Sequence, residues 1–293
     1  MARRRRTARL RSPEPSAASA ARYHRALVRR VVRPVERLAR AELDTVLRSE
    51  LAANADRMRR DEMSDRVRAA LLSYAGRLRR FVDDESPAAN SAGAVGAEVD
   101  RRHKRAFYGA LSRAVGVNIL ATEPFRGAVM DQWVRENTGL IRSLSLSTVR
   151  GISREVDEAF VAGLRHEELA KRWRERGLPV EFGTLRGRAK VIARDQINKL
   201  NGQLTQARQE NLGITHYVWR TSGDERVRDR HADLDGQRFA WDSPPDEGHP
   251  GHAVQCRCVA EAVLDLSSIG RRAEAFAVQR RALQQFGRAA ARL

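Results

Sequence analysis

Residues 214–264 decide the fold of this chain: ITHYVWRTSGDERVRDRHADLDGQRFAWDSPPDEGHPGHAVQCRCVAEAVL. Side chains alternate in character at its start, a period of two that is typical of a strand. Asp235-Gly236 is a tight-turn signal that leads into a second segment of this kind. The predicted strands are residues 214–221, 237–241 and 257–264. The stretch therefore predicts a small antiparallel sheet.

The same stretch contains both cysteines of the chain and four of its seven histidines. Zinc is bound by about four nitrogen or sulfur ligands, usually from two segments held close together. A hairpin that brings residue 231 beside residues 256–258 would place ligands from two segments close together. The candidate ligands are His231, His249, His252, Cys256 and Cys258, and the predicted set is His231, His252, Cys256 and Cys258. Because the spacing is Cys-x-Cys rather than the usual Cys-x-x-Cys, an alternative stays open, in which the cysteines are small buried apolar residues and the histidines are loop residues.

A run of alternating charge surrounds His231. With His231 as general base and Asp224 or Asp235 on a divalent metal, it would indicate a metal-dependent nuclease or another phosphodiester enzyme. In the competing interpretation Asp224 caps a short turn, Arg226 and Arg228 pair with nearby carboxylates, and His231 bonds a loop backbone. The sequence contains no Gly-rich phosphate loop, no His-Glu-x-x-His and no Gly-x-Ser-x-Gly. The non-catalytic interpretation is therefore favoured.

Before residue 214 the apolar period changes to three and four, which predicts helices. Pro34 is expected to kink the first helix or to mark its start, and Thr184 to cap the last. Helices are predicted over residues 23–51, 64–81, 97–115, 125–137, 140–163, 166–176 and 184–212, with a loop at 83–96. The fold class is mainly α, with long N-terminal helices followed by a helix and a small antiparallel sheet in an α+β C-terminal module.

The formal net charge of +18 is concentrated at the two ends of the chain. Residues 1–40 contain 13 Arg and two Glu, whereas residues 270–293 contain six Arg and one Glu. Basic ends on a nearly neutral body predict non-specific contact with a polyanion, most simply double-stranded DNA. The predicted DNA-binding residues are Arg3, Arg4, Arg5, Arg6, Arg271, Arg272, Arg280 and Arg281.

Other classes of protein are disfavoured by composition. No run approaches the roughly 18 apolar residues that span a bilayer, so no membrane role is expected. The charged start lacks the apolar segment of a signal peptide. Two cysteines one residue apart cannot form a disulfide framework, which is typical of a chain made in a reducing cytoplasm.

Several spaced motifs occur in an order that resembles the bacteriophage head morphogenesis family, the Mu F-like minor head proteins. The resemblance covers roughly residues 135–265. Its residues are Ile192-Ala193-Arg194-Asp195, Asn201, Gly213-Ile214, Tyr217, Trp219, Thr221, Asp224, Arg226-Val227-Arg228, His231, Leu234-Asp235-Gly236, Pro250-Gly251 and Cys256-Arg257-Cys258.

The resemblance implies a virion component rather than an enzyme. Such proteins are minor head proteins associated with the portal vertex, and they act in procapsid assembly and in DNA packaging or delivery. The implied partners are the portal protein and the inner capsid or scaffold. The implied location is the interior of the phage head, after assembly in the host cytoplasm. The expected division is a disordered basic arm (1–20), a helical N-terminal region (21–135), a Mu F-like domain (136–265) and a basic C-terminal helix or tail (266–293).

Overall fold

The computed structural model describes residues 7–55, 65–83, 86–116, 119, 121–162, 164, 166–180 and 183–265. Its helices are α1 (Ala17–Leu27), a π-helical segment (Val28–Val32), α2 (Arg33–Ala55), α3 (Asp65–Asp83), α4 (Ser86–Val115), α5 (Arg126–Ala162), α6 (His166–Arg176), α7 (Leu185–Asn211) and α8 (Asp229–Asp233). Its strands are β1 (Thr7–Leu10), β2 (Pro179–Val180), β3 (Gly183–Thr184), β4 (His216–Arg220), β5 (Arg238–Ala240) and β6 (Val259–Asp265). The predicted fold class, mainly α with a small antiparallel sheet, is confirmed.

The three predicted strands are confirmed as β4, β5 and β6 of one antiparallel sheet. The strand order is β1-β6-β4-β5, with a separate pair β2-β3. Tyr217 lies opposite Ala262, and Trp219 lies opposite Ala260. Because directly opposed residues share a face, these four side chains lie on the same, buried face of the sheet.

The expectation of a disordered arm over residues 1–20 is wrong for the described residues 7–20. Thr7–Leu10 form β1, which pairs with β6 from Thr7 opposite Asp265 to Leu10 opposite Ala262. Leu10 is buried among Phe107, Leu111 and other apolar residues. Arginine-rich composition suggested disorder, but the free edge of β6 supplies backbone partners that composition cannot reveal.

Two other expectations are corrected by long helices. Residues 86–96 lie in α4 instead of a loop, consistent with the high helix propensity of their alanines, and Ala92 is fully buried. The two helices predicted over residues 125–137 and 140–163 are one continuous helix, α5.

Proline and threonine shape two further helices as the sequence suggests. The π-helical segment ends two residues before Pro34. Proline removes one hydrogen bond and crowds the carbonyl of residue 30, so a local widening of the helix accommodates it. At the start of α7 the backbone N–H of Gly187 donates to Thr184 Oγ1 at 3.2 Å, which confirms the predicted cap.

The described chain belongs to two compact units. Of the described residues, one unit contains those within 7–16, 96–131 and 195–265, and the other contains those within 17–95 and 132–194. Each unit thus draws on chain from both sides of residue 136, unlike the predicted domain ranges. The predicted C-terminal helix or tail, residues 266–293, lies outside the described residues.

The mainly helical unit is held by buried and partly buried polar contacts as well as by apolar packing. The Tyr23 hydroxyl donates to Asn137 Oδ1 at 2.7 Å. Arg186 donates to both carboxylate oxygens of Glu36 at 2.9 and 2.8 Å. Gly151 of α5 lies against β2, where a Cβ would come within 2.7 Å of the Pro179 carbonyl oxygen. Among the described residues, no helix combines the length and hydropathy needed to cross a bilayer.

Candidate metal centre

Three potential metal ligands meet beside the sheet. His231 lies in the single turn of α8, and Cys256 and Cys258 precede β6. His231 Nδ1 is 3.6 Å from Cys256 Sγ and 3.5 Å from Cys258 Sγ. Within the described ranges, this is the group of His, Cys, Asp and Glu side chains whose ligand atoms all lie within 4.8 Å of one another. The structure therefore brings together three of the four predicted ligands.

His231 is held in a buried position with a defined ring orientation. Its ring makes an edge contact with Trp219, with centroids 5.3 Å apart. The second ring nitrogen, Nε2, lies 3.5 Å from Glu247 Oε2 and has no hydrogen bond within normal geometry. Only 3% of the His231 side chain is exposed. One ring nitrogen thus faces two sulfurs and the other faces a carboxylate.

The two thiols share a hydrogen bond. A hydrogen bond with Cys258, reinforced by the Gly251 and Cys258 backbone and by His231, lowers the pKa of the Cys256 thiol to about 6, against the opposing effect of burial. The same shared hydrogen bond, together with burial, raises the pKa of Cys258. The first deprotonation is therefore easier than for an ordinary thiol, and the second is harder unless a cation is present.

His252, the fourth predicted ligand, does not join this group. Its ring packs edge-on against His249, with centroids 5.3 Å apart, and His249 Nδ1 lies 3.0 Å from the Tyr217 hydroxyl. Burial lowers the pKa of His252, and the charge of Lys199 on α7 adds to this effect. The chain reverses through Gly248 and Gly251, both with left-handed φ, and this geometry separates the two histidines from the thiols.

Helix α7 anchors the loop that carries the cysteines. The Gln255 N–H donates to Asp195 Oδ1 at 2.7 Å, and this bond holds Gln255 at a φ of 57°. A Cβ at Gly202 would come within 2.9 Å of the Pro250 carbonyl oxygen. The resemblance included Asp195 and Pro250, but only the structure shows that their role is to position this loop.

The carboxylates of the nuclease hypothesis are engaged elsewhere. Asp224 forms a bidentate pair with Arg257, both contacts at 2.5 Å, and accepts a hydrogen bond from the Arg226 N–H. Asp235 Oδ1 accepts the Thr221 N–H at 2.8 Å. Neither carboxylate belongs to the described ligand group around His231. The predicted turn role of Asp224 is confirmed, whereas its ion-pair partner is Arg257, a residue outside that interpretation.

The roles that the non-catalytic interpretation gives to Arg228 and His231 differ from those in the structure. Arg228 donates to the Val254 carbonyl at 2.7 Å rather than to a carboxylate. His231 faces sulfur and Glu247 instead of a loop backbone. Arg228 and His231 therefore connect α8, and the residue just before it, to the segment around Cys256.

A buried amide joins three parts of the sheet-containing unit. Gln209 Nε2 donates to the Ala260 carbonyl at 2.9 Å, and its Oε1 accepts from Trp241 Nε1 at 3.1 Å. Ser12 also donates to the Ala260 carbonyl. This role of Gln209 was not predictable, since a lone glutamine in a helix carries no distinguishing sequence signal.

A second buried network surrounds Arg208, which is fully buried. Its guanidinium donates to Asp100, to Glu123 Oε1 at 2.7 Å and to His103 Nδ1 at 2.7 Å. His103 Nε2 therefore carries the ring proton and donates to Thr205 Oγ1 at 2.8 Å. Burial and the Arg208 charge lower the pKa of His103 well below its ordinary value, so it stays neutral.

The carboxylates of the Arg208 network have second partners. Lys104 Nζ donates to Glu123 at 2.9 Å, and Arg126 Nε donates to Asp100 at 2.6 Å. Burial opposes ionisation of Glu123, but the bonds from Arg208 and Lys104 outweigh it and lower its pKa. The burial of Arg208 was not predicted, although Arg208 follows the four-residue spacing of Leu200 and Leu204, which were predicted to face inward.

The predicted DNA-binding arginines all lie outside the described residues, which begin at residue 7 and end at residue 265. Their role stays a prediction from the charge distribution.

Comparison with known proteins agrees with the resemblance seen in the sequence. A stretch of 130 residues is 45% identical to a Haemophilus influenzae (strain ATCC 51907 / DSM 11121 / KW20 / Rd) protein described as an uncharacterized protein, and covers 44% of this chain. The chain spans only 28% of the length of that relative. No solved structure matches. The family model described as Phage Mu protein F like protein matches residues 150–261, so the expected resemblance of this segment to the Mu F-like family is confirmed.

Proposed function

We propose that this protein is a bacteriophage head morphogenesis protein. It acts as a minor head protein in procapsid assembly at the portal vertex and in the packaging or delivery of DNA. The observation that carries the proposal is the Phage Mu protein F-like segment, residues 150–261. Its partners are the portal protein and the inner capsid or scaffold. Its location is the interior of the phage head, after assembly in the host cytoplasm.

The structure supports an assembly role over a catalytic one. The family motif residues Asp195, Asp224 and Asp235 each bind a backbone N–H or an arginine of the same unit. His231 is buried against two thiols rather than against carboxylates. Groups committed to holding the fold are poorly placed to serve as a general base or to hold a catalytic divalent metal.

Docking on the portal is tested by co-expression. The chain and a portal protein of the same phage or prophage would be produced together, with a tag on the portal protein. We expect the chain to co-purify with the portal protein at a fixed ratio, and to remain bound after nuclease treatment, which removes any bridging DNA. Repeated absence from the portal fraction would overturn this part of the proposal.

DNA contact by the basic ends is tested by its dependence on salt. Each phosphate contact contributes about 0.9 to the slope of log binding constant against log salt. Replacement of Arg3, Arg4, Arg5 and Arg6 by Gln is expected to reduce that slope by up to about 3.6. The matched control removes four exposed positive charges of α6, by the replacement of Lys171, Arg172, Arg174 and Arg176 with Gln.

The control is expected to leave the slope near that of the unmodified chain. Equal losses in both variants would show that the termini have no special role. The absence of duplex binding even at low salt would overturn DNA contact altogether, while leaving portal docking to its own test.

The nuclease alternative has a direct test. Duplex DNA incubated with the protein and Mg²⁺, Mn²⁺ or Zn²⁺ is expected to remain intact. Cleavage that disappears on His231→Ala would contradict the non-catalytic proposal, because it would require His231 to act on a phosphodiester despite its burial.

A further inference from the structure

We propose that His231, Cys256 and Cys258 bind one Zn²⁺ ion, through His231 Nδ1 and the two sulfurs, and that Glu247 orients the histidine from its other side. The inference does not depend on the proposed head morphogenesis function. It rests on the distances, burial and orientation of these four side chains.

The distances match those of a zinc coordination sphere. Zinc bonds of about 2.3 Å to sulfur and 2.0–2.1 Å to nitrogen place a nitrogen and a sulfur ligand of a tetrahedral ion roughly 3.5–3.6 Å apart. The two nitrogen-to-sulfur distances here are 3.6 and 3.5 Å. His231 Nδ1 therefore already has the separation from both sulfurs that a shared zinc ion requires.

Hydrogen bonding alone accounts poorly for the same arrangement. His231 Nδ1 carries at most one proton, so it can donate to one sulfur but not fully to both. It is nevertheless almost equally close to Cys256 and Cys258. An ion between the three atoms instead accepts an electron pair from each of them, which makes the equal distances the expected geometry.

Glu247 completes a pattern common around zinc. A histidine ligand usually donates its second ring N–H to a carboxylate or carbonyl, which fixes the ring orientation. When Nδ1 binds metal, the ring proton of His231 lies on Nε2, which is 3.5 Å from Glu247 Oε2. That proton would let the buried Nε2, which has no hydrogen bond of normal geometry, interact with the Glu247 carboxylate.

Charge balance suits the buried position. Two thiols release two protons to solvent, and the two thiolates neutralise the charge of Zn²⁺ while His231 stays neutral. A neutral complex avoids most of the desolvation cost of an isolated buried ion. With three ligands from the described chain, a water molecule or another small ligand would take the fourth position.

The first experiment is elemental analysis of the full chain, purified in reducing buffer without chelators. We expect about one zinc per chain, and retention of that zinc in His252→Ala, the matched control because His252 lies nearby but outside the group. We expect Cys256→Ser and His231→Ala to lose it. Zinc well below stoichiometry, another metal in its place, or loss of zinc in His252→Ala would overturn the proposed ligand set.

A second measurement avoids variants that fail to fold. Co²⁺ added to the metal-free chain is expected to give thiolate charge-transfer absorption in the near ultraviolet and strong visible bands of tetrahedral cobalt, and Zn²⁺ should abolish both. Cobalt binding without thiolate bands would overturn the site.

The role of Glu247 has its own readout. Glu247→Gln is expected to weaken zinc binding about 10–100-fold in competition with a chromophoric chelator, while one zinc still binds at saturation. Unchanged affinity would show that Glu247 does not orient His231. Far-UV circular dichroism of each variant confirms that the comparison is between folded chains.

Discussion

Replacement of Arg208 by methionine is expected to destabilise the protein by about 3 kcal/mol, the lower end of the range for the loss of one partner of a buried ion pair. Arg208 is fully buried, and it binds Asp100, Glu123 and His103 at once. Methionine retains much of the apolar stem, so the loss comes mainly from the charge and the hydrogen bonds. The lower end applies because Arg126 and Lys104 still compensate the carboxylates.

The assay is unfolding followed by far-UV circular dichroism, with urea and with heat. A loss of about 3 kcal/mol corresponds to a fall in Tm of roughly 6–12 °C, given about 2–4 °C per kcal/mol for chains of comparable size. Arg188→Met is the matched control, since Arg188 lies on the same helix but is exposed. The control is expected to stay within about 0.5 kcal/mol of the unmodified chain.

Two results would refute this reasoning. A stability of Arg208→Met equal to that of the control would show that the network does not hold the fold. A gain in stability in the double variant Arg208→Met/Asp100→Asn over the unmodified chain would show that the desolvation cost of the charges exceeds their mutual attraction.

Three further outcomes are expected. Because the pKa of His103 is depressed in the folded chain, the unfolded chain binds a proton that the folded chain excludes. The free energy of unfolding should therefore fall as pH drops below about 6.5, by up to about 1.4 kcal/mol per pH unit. In urea titrations at several pH values, His103→Gln should reduce that slope. Gly151→Ala should lower the free energy of unfolding by about 1–3 kcal/mol in the same assay, because the added Cβ meets the backbone of β2. Gly139→Ala on the same helix places its Cβ in open space and should stabilise the protein by about 0.5–1 kcal/mol. Equal effects of the two substitutions would contradict the close packing at Gly151. Asp195→Ala should speed amide hydrogen exchange in residues 249–258, and unchanged exchange would show that the Gln255 N–H does not need this acceptor.

The sequence by itself determined much of the local structure and a family resemblance. Alternation and the Asp235-Gly236 turn located β4 and β5, and the helical period together with the Thr184 cap located α7. These signals succeed because side-chain period and capping chemistry act between residues close in the chain. The order of motifs likewise indicates a resemblance to the family whose model matches residues 150–261.

Features that depend on residues far apart in the chain were determined only by the tertiary structure. Composition suggested disorder at Thr7–Leu10, but β6 provides the strand edge with which that segment pairs. The sequence grouped His252 with the cysteines, whereas among the described residues the structure groups His231 with them, and the loop that carries His252 packs on α7 through Gly251. Arg208 and Asp100 are 108 residues apart, and their pairing follows from the way two helices pack rather than from any local pattern.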